Sequence, residues 1–473
     1  MSLARLLDAR RVALLRRRLR ARLPGVPASG LLSITLDLGA GDDDWLGVDL
    51  ARANVNWWAE PGGREVGDYR LALGEAMRFS TAGGGRFAAL QAAFRGLAPL
   101  WEHDDAQHTG VRPAAHVGFA FAEETQDELP NARLLVPAIL LRNQAGQRTV
   151  TFSCAARAAE GAVGRWLAEL HAADGRPAAA APAASATLWQ RRPAALADRA
   201  FLARASAALA GIARGELDKL VLTRSVHVAS ELPVAAASVL AVLARRHPEC
   251  TIYGVGQPGQ SFIGATPERL VSLRAGTVRA DALAGTAWLG AAAGQPTSRA
   301  LQADKNRREH QLVVDAVRAA LLPMCVSLEP PRAAGILHLG QLQHLRTTVV
   351  GRARAGIGLF DLIASLHPTP AVGGVPGPAA RQWLLRHGDR RGAWYTGGVG
   401  WIDRDGDGDV AVALRCARLR GRDAELFAGA GIVAGSDPEQ ELAETEVKLA
   451  VIAAALRCPR ACAPGQARRT GTG

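Results

Sequence analysis

Cys250-Thr-Ile-Tyr-Gly-Val255, Ser261-Phe-Ile-Gly264, Arg269-Leu-Val-Ser-Leu273 and Thr277-Val-Arg-Ala-Asp-Ala-Leu283 follow one another across gaps that each contain Gly or Pro. Short runs with β-branched residues, punctuated in this way, predict the strands of an antiparallel meander. To either side, helical and strand patterns mix without βαβ alternation and without an internal repeat. The fold class this implies is α+β, built on a large antiparallel sheet flanked by helices.

Upstream of the meander, the strand Lys219-Leu-Val-Leu-Thr-Arg-Ser-Val-His-Val is predicted between helices at Leu196 to Ala213 and Val234 to Arg246. Downstream, helices are expected at Ser298 to Leu322, Gly358 to Leu366 and Asp437 to Leu456, the last preceded by strands at Gly398 to Ile402 and Val410 to Cys416. In the first third, Leu31 to Leu38, His116 to Ala122 and Leu134 to Leu141 read as strands and Arg86 to Leu97 as a helix. An Ala/Pro-rich stretch at 173–195 lacks a core-facing period and is predicted to be a linker between an N-terminal part of the fold, 23–172, and a catalytic region, 196–457. Residues 458–473 read as a flexible tail.

With 473 residues and 48% apolar side chains, the chain can bury a substantial core. No apolar run approaches the ~20 residues that span a bilayer, so no membrane association is expected. The net charge of +12 lies largely in the arginine-rich segment 1–22 and the C-terminal tail, without interleaved aromatics, and does not predict a nucleic-acid partner. Residues 1–22 suit an amphipathic surface helix with solvated arginines better than a transit-like or nucleic-acid-binding arm. The six cysteines are scattered, which disfavours zinc and predicts buried free thiols, Cys154 and Cys416 among them, in a reducing, cytoplasmic setting. Of 56 basic residues only Lys219, Lys305 and Lys448 are lysine. Lysine is retained where a compact charge or a removable proton is needed, so these positions are worth tracing.

Two tempting motifs are set aside. Gly254-Val-Gly256-Gln-Pro-Gly259 fits a dinucleotide fingerprint but leads into a strand rather than a helix, and is predicted to be a hairpin. Asp403-Arg-Asp405-Gly-Asp407-Gly-Asp409 begins like a calcium loop, yet its twelfth position is Leu414 where a bidentate Glu is required; it also reads as a hairpin. The acidic C-terminal helix carries more information. Asp437 is a natural N-cap with Pro438 at the first helical position. Glu441, Glu444 and Lys448 then share one face, behind a loop, Phe427-Ala-Gly429-Ala-Gly431-Ile-Val-Ala-Gly435, that leaves backbone bare. Amides beside carboxylates suit a carboxylate ligand with a bridging hard cation, Mg²⁺.

Taken in order, Phe262-Ile-Gly-Ala-Thr-Pro-Glu268-Arg-Leu, Leu283-Ala-Gly-Thr286, Glu309-His-Gln-Leu-Val-Val-Asp315, Gln343-His344-Leu, Leu366-His-Pro-Thr-Pro-Ala-Val-Gly-Gly374, Trp394-Tyr395-Thr-Gly-Gly-Val-Gly-Trp401, Ala413-Leu-Arg415 and Gly429 through Lys448 resemble the chorismate-utilising enzymes, over roughly residues 190–457. The resemblance implies two large antiparallel sheets flanked by helices, with chorismate as the small-molecule substrate. It implies Glu309, Glu441 and Glu444 as a magnesium set, and Gly429 and Gly431 as amide donors to the ring carboxylate. Tyr395 and Arg415 would take the enolpyruvyl carboxylate, while Lys448 adds charge and Thr286 and His344 line the ring pocket. Lys219 would be the base that activates water, as in isochorismate synthases, and Glu268 the acid that protonates the departing hydroxyl. Ala284 stands where the aminodeoxychorismate branch carries a lysine, and Lys219 where anthranilate synthases generally lack one, so neither amination nor a glutaminase subunit is expected. Salicylate synthase is the rival reading. One departure, Ala393 in Arg390-Arg-Gly-Ala-Trp-Tyr395, puts a question on Tyr395.

Overall fold

The computed structural model describes residues 3–457 apart from 40–47, 49, 53, 63–67, 125–126, 175–188, 193, 289–303 and 340–341. Most of the predicted linker, the first residues of the helix expected from Ser298, and the whole tail with Cys458 and Cys462 lie outside the described residues.

Two large sheets dominate. A 13-stranded sheet runs in the order Trp189–Arg191, Lys219–Ser230, Asp423–Val433, Cys416–Arg420, Gln260–Thr266, Thr251–Gln257, Asn56–Ala59, Tyr69–Leu73, Ile139–Gln144, Gln147–Ala155, Leu31–Asp37 and Trp101–Asp105, with Gly374–Val375 added beside Lys219. A 10-stranded sheet runs Cys325–Leu328, Leu342–Ala353, Thr277–Trp288, Arg269–Arg274, Gly408–Val412, Gly398–Asp403, Ala114–Phe119, Ala132–Val136 and Met77–Thr81, with Gly335–Leu339 on the long strand 342–353. Pairing is antiparallel except between Leu31–Asp37 and Trp101–Asp105. Both sheets draw strands from each side of the linker.

Most of the central strands are buried on both faces because the sheets pack on each other and helices cover their outer faces. Trp58, Tyr253 and Phe262 of one sheet meet Val399, Trp401 and Ala411 of the other in the middle layer. Outside the larger sheet lie the helices Ala9–Arg22, Ala162–Ala173, Ala236–Arg246 and Pro438–Leu456. Outside the smaller lie Arg86–Leu97, Asp304–Leu321 and Leu359–Leu366. Ala9–Arg22 is the amphipathic surface helix expected: Asp8 caps it by accepting from Arg11 N, Leu15 and Leu19 are buried, and Arg18 and Arg22 reach Asp104 at 3.5 and 3.4 Å. Among the described residues no helix is long and apolar enough to cross a membrane.

The meander is one continuous ribbon but not one sheet. Thr251–Gln257 and Gln260–Thr266 form the predicted hairpin in the larger sheet, turning at Gly259 with φ +74°, whereas Arg269–Arg274 and Thr277–Trp288 belong to the smaller. The change of sheet falls at Pro267-Glu268. The partner strand changes sheet alongside it: the run expected at Val410 to Cys416 is two strands, Gly408–Val412 and Cys416–Arg420, separated by a crossing at 413–415. Two hydrogen bonds keep the crossing segments side by side, Ala265 N to Arg415 O at 3.1 Å and Val412 N to Glu268 O at 3.0 Å. A second ribbon behaves in the same way. Leu134 to Leu141 is also two strands, because Pro137 has no N–H to donate to a ladder, and the chain passes there from the smaller sheet to the larger while 74–76 crosses beside it.

Where strands of the middle layer approach closely, side-chain volume is tightly limited. A Cβ on Gly118 would lie 1.9 Å from Trp394 Cζ3. Gly118→Ala is therefore expected to destabilise the fold by about 1–3 kcal/mol through overpacking, measured as a lower urea midpoint with an unchanged slope.

Candidate active site

The first ribbon crossing opens a cavity between the sheets. Its walls carry Lys219, Glu268, Thr286, Glu309, His344, Tyr395, Arg415, Gly429, Gly431, Glu444 and Lys448. The structure thus brings together all of the residues singled out from sequence except Glu441. That residue is 2% exposed, in the first turn of Pro438–Leu456, and is not among those lining the cavity.

Each side chain arrives by a local device. Lys219 opens the strand Lys219–Ser230 and is 1% exposed; its Nζ donates to Glu309 Oε1 at 2.8 Å from the helix Asp304–Leu321. Glu268 sits on the crossing peptide itself, 3% exposed, and its Oε1 has no hydrogen-bond partner among the described residues. Burial, helped by the nearby carboxylate of Asp281 and opposed by Lys219, Arg415 and Lys448, pushes its acid up to about 8. Glu268 is therefore a protonated acid at neutral pH. Asp281, buried and accepting from Thr348 Oγ1 at 2.6 Å, carries no motif that marks it in the sequence.

Arg415 stands on the partner crossing with φ +47°, an unusual conformation for a residue with a side chain. Its Nη2 donates to His344 Nε2 at 2.8 Å, and its Nε has no partner among the described residues. Because a guanidinium only donates, His344 Nε2 accepts, and the ring carries its proton on Nδ1, 3.3 Å from Thr286 Oγ1. Burial, with Arg415 and Lys448 near, holds His344 well below its ordinary value and keeps it neutral. Thr286 owes its position to a bulge: Gly285, at φ +74°, interrupts the register between Ala284 and Thr286 so that Thr286 stands opposite His344. The departure at Ala393 is accommodated by φ +52° there and by Ala393 N donating to Asp127 Oδ2. Tyr395 still reaches the cavity, stacked on Phe427 with centroids 5.3 Å apart.

Gly429 and Gly431 lie opposite Thr223 and Val221. Val221 N and O are taken by Gly373 O and Arg391, and Thr223 O by Arg204, so these two pairs do not exchange ladder bonds. A residue's N–H and C=O leave an antiparallel strand on the same side. The N–H groups of Gly429 and Gly431 therefore point away from Lys219–Ser230, and on that side pairing with Cys416–Arg420 has stopped at Phe427. Lys448 Nζ occupies Gly429 O on the same side, at 2.8 Å, and pairs with Glu444 at 2.5 Å. A Cβ at 431 would lie 2.6 Å from Glu309 Oε1, so Glu309 would have to shift from its pairing with Lys219.

Glu309 and Glu444 supply only hard oxygen donors, the chemistry that Mg²⁺ prefers. They are held by Lys219 and Lys448, and among the described residues no three His, Cys, Asp or Glu side chains are gathered closely enough to grip a metal. The donor type fits magnesium; the donors are not assembled around one point.

The fold agrees with known proteins. Residues 51–457 match the family described as chorismate binding enzyme, and the chain belongs to that family. It is 31% identical to isochorismate synthase MenF of Bacillus subtilis over 375 residues, 76% of this chain and 77% of that protein. It is 38% identical to a Pseudomonas aeruginosa protein named salicylate biosynthesis isochorismate synthase over 262 residues, 54% of this chain but only 55% of the relative. The solved structure of the menaquinone-specific isochorismate synthase MenF from Escherichia coli superposes with a TM-score of 0.74 at 26% identity, covering 94% of this chain and 98% of that one.

The raised acid of Glu268 has a measurable sign. The folded protein holds this proton up to about pH 8 and the unfolded chain releases it near 4.5, so this residue's contribution to stability falls as pH rises between those values. Glu268→Gln is expected to flatten the loss of urea resistance from pH 5 to 8 relative to the parent protein.

Proposed function

We propose that the protein is an isochorismate synthase, converting chorismate to isochorismate. The observation that carries the reading is that Lys219 and Glu268 line one cavity, with the acid protonated at neutral pH. Lys219, in its neutral form, removes a proton from water as the oxygen bonds to ring carbon 2. The ring double bond shifts, and the 4-hydroxyl departs with the proton of Glu268. One water enters and one leaves, so the net change is an isomerisation. Ala284 on the cavity wall supports water addition over amination, because no lysine nucleophile stands there.

The remaining walls suit a dianion. Arg415 and Tyr395 would hold the enolpyruvyl carboxylate and the Gly429 and Gly431 amides the ring carboxylate, while Thr286 and His344 bound the ring. Before Lys219 gives up its proton, with Lys219 paired to Glu309, Lys448 to Glu444 and Glu268 protonated, the lining side chains carry one uncompensated positive charge, on Arg415. A dianion exceeds that by one negative charge, which supports a cation in the cavity. Glu309, Glu444 and, one turn away, Glu441 would hold Mg²⁺ directly or through water, and the ion when bound supplies charge to the ring carboxylate. Buried free thiols at Cys154, Cys250, Cys325 and Cys416 support a reducing, cytoplasmic setting.

Purified protein with chorismate and Mg²⁺ is expected to give isochorismate in a reversible equilibrium, with EDTA abolishing turnover. Lys219→Gln should lower turnover by at least about 100-fold, the usual contribution of an acid–base group, while chorismate still binds by calorimetry. Stoichiometric salicylate and pyruvate from the pure protein would replace this reading with that of a salicylate synthase.

A further inference from the structure

Arg391, a short way before Tyr395 in the chain, carries a buried guanidinium that the proposed reaction leaves unused; its side chain is 2% exposed. Its Nε pairs with Asp389 Oδ2 at 2.8 Å, and Asp389 is itself 1% exposed. The other end of the fork spreads over three separate segments. Nη2 donates to Val221 O at 3.0 Å, and Nη1 donates to Val372 O at 2.6 Å and to Thr396 Oγ1 at 2.9 Å. Val221, Val372 and Thr396 all line the substrate cavity. Phe121 covers the guanidinium, its ring centroid 3.7 Å from Cζ.

These contacts fall where position matters to the site. Val221 is the next residue but one after Lys219 on its strand and stands opposite Gly431. Thr223, opposite Gly429, donates its Oγ1 to Asp389 Oδ1 at 2.7 Å. The Arg391–Asp389 pair therefore grips the strand Lys219–Ser230 at the two residues that stand opposite those glycines. On the far side, Thr396 follows Tyr395 with φ +60°, a left-handed conformation that is a true outlier for a β-branched side chain. Such strain persists only where surrounding bonds over-determine it. Here Thr396 N donates to Ala413 O at 2.9 Å, and Thr396 O accepts from His367 Nε2 at 3.0 Å. Thr396 Oγ1 accepts from Arg391 while donating to Tyr395 O at 2.6 Å.

We propose that Arg391 is a positioning residue for the reaction: it fixes Tyr395, through Thr396, relative to the strand that carries Lys219. The role rests on the isochorismate synthase function proposed above. A guanidinium holds its donors in one plane at fixed angles, so three acceptors bonded to it cannot move independently. Asp389 balances the charge, so Arg391 acts on the cavity through geometry. A lysine could keep the pair with Asp389 but could not hold the three acceptors in the same arrangement.

The chain has three tyrosines, Tyr69, Tyr253 and Tyr395, so full-length protein labelled with 3-fluorotyrosine reports on each, with the Tyr395 signal assigned by its loss in Tyr395→Phe. Arg391→Lys should move or broaden the Tyr395 signal alone. It should also lower kcat/KM for chorismate by about 100-fold, the scale that a misplacement of about 1 Å produces. Thr396→Ala removes one acceptor and should raise KM by about tenfold with kcat nearly unchanged, whereas Thr396→Ser keeps the hydroxyl and should stay within about twofold of the parent. If Arg391→Lys does not fold, the two Thr396 variants decide the matter. A Tyr395 signal unchanged in Arg391→Lys and in Thr396→Ala, or Thr396→Ser impaired as much as Thr396→Ala, overturns the proposal. A parent protein that turns over no chorismate overturns the functional reading instead, and the fluorine signals, which need no turnover, still decide whether Arg391 positions Tyr395.

Discussion

Everything at the substrate cavity depends on two hydrogen-bonded strands leaving one sheet for the other at the same level. Ala265 N to Arg415 O and Val412 N to Glu268 O keep the crossing segments together, so Glu268 and Arg415 are delivered to one place by a single bend. The strand Asp423–Val433 does not follow them. It keeps Lys219–Ser230 on one side and loses its neighbour on the other beyond Phe427. Gly429 and Gly431 then present N–H groups where no strand arrives, and buried N–H groups require acceptors. The proposed carboxylate contact would thus rest on sheet geometry before any side chain is considered.

The side chains complete a cavity in which most charges already have partners. Glu309 and Glu444 are each held by a lysine, and Glu268 avoids its charge by keeping a proton. Arg415 is the exception, since it donates to a neutral imidazole rather than to a carboxylate. His344 therefore orients the guanidinium without cancelling it, and the Gly285 bulge fixes Thr286 behind the ring to hold its tautomer. Fixed, uncompensated positive charge is effective on an anion because it is already oriented and needs little reorganisation.

Local structure was legible in the sequence and long-range pairing was not. Arg86–Leu97 and the cap at Asp437 are found where residue periodicity and capping place them, and the turns at Gly259 and at Asp403–Gly408 are the predicted hairpins. The runs at 134–141, 250–283 and 410–416 were each one patterned stretch in sequence, yet each is divided between two sheets. Apolar periodicity is the same on both sides of such a crossing when both faces of both sheets are buried. Nor does any pattern announce that Trp57 pairs with Gly254, or that Lys219 meets Glu309 90 residues away. The site residues were gathered through the family resemblance, which encodes those distances. Asp281 escaped both routes, because its effect on Glu268 acts across space and leaves no local mark.

The scarcity of lysine acquires a steric explanation as well as a chemical one. Lys219 Cε lies 3.2 Å from where a Cβ on Gly431 would be, and the side chain is 1% exposed against Glu309, so a planar guanidinium with its forked donors has no room there. Lys448 touches a backbone oxygen and a carboxylate from one nitrogen, at 2.8 and 2.5 Å, which a compact, rotatable ammonium does and a rigid fork does poorly. Apart from Lys305, the other Lys or Arg positions are all arginine, many in surface ion pairs such as Arg191 with Glu446, where the fork is an advantage. Two of the three positions at which this chain keeps lysine are therefore the two at which the cavity requires a single small cation, and one of these, Lys219, is the group whose proton the proposed reaction needs to move.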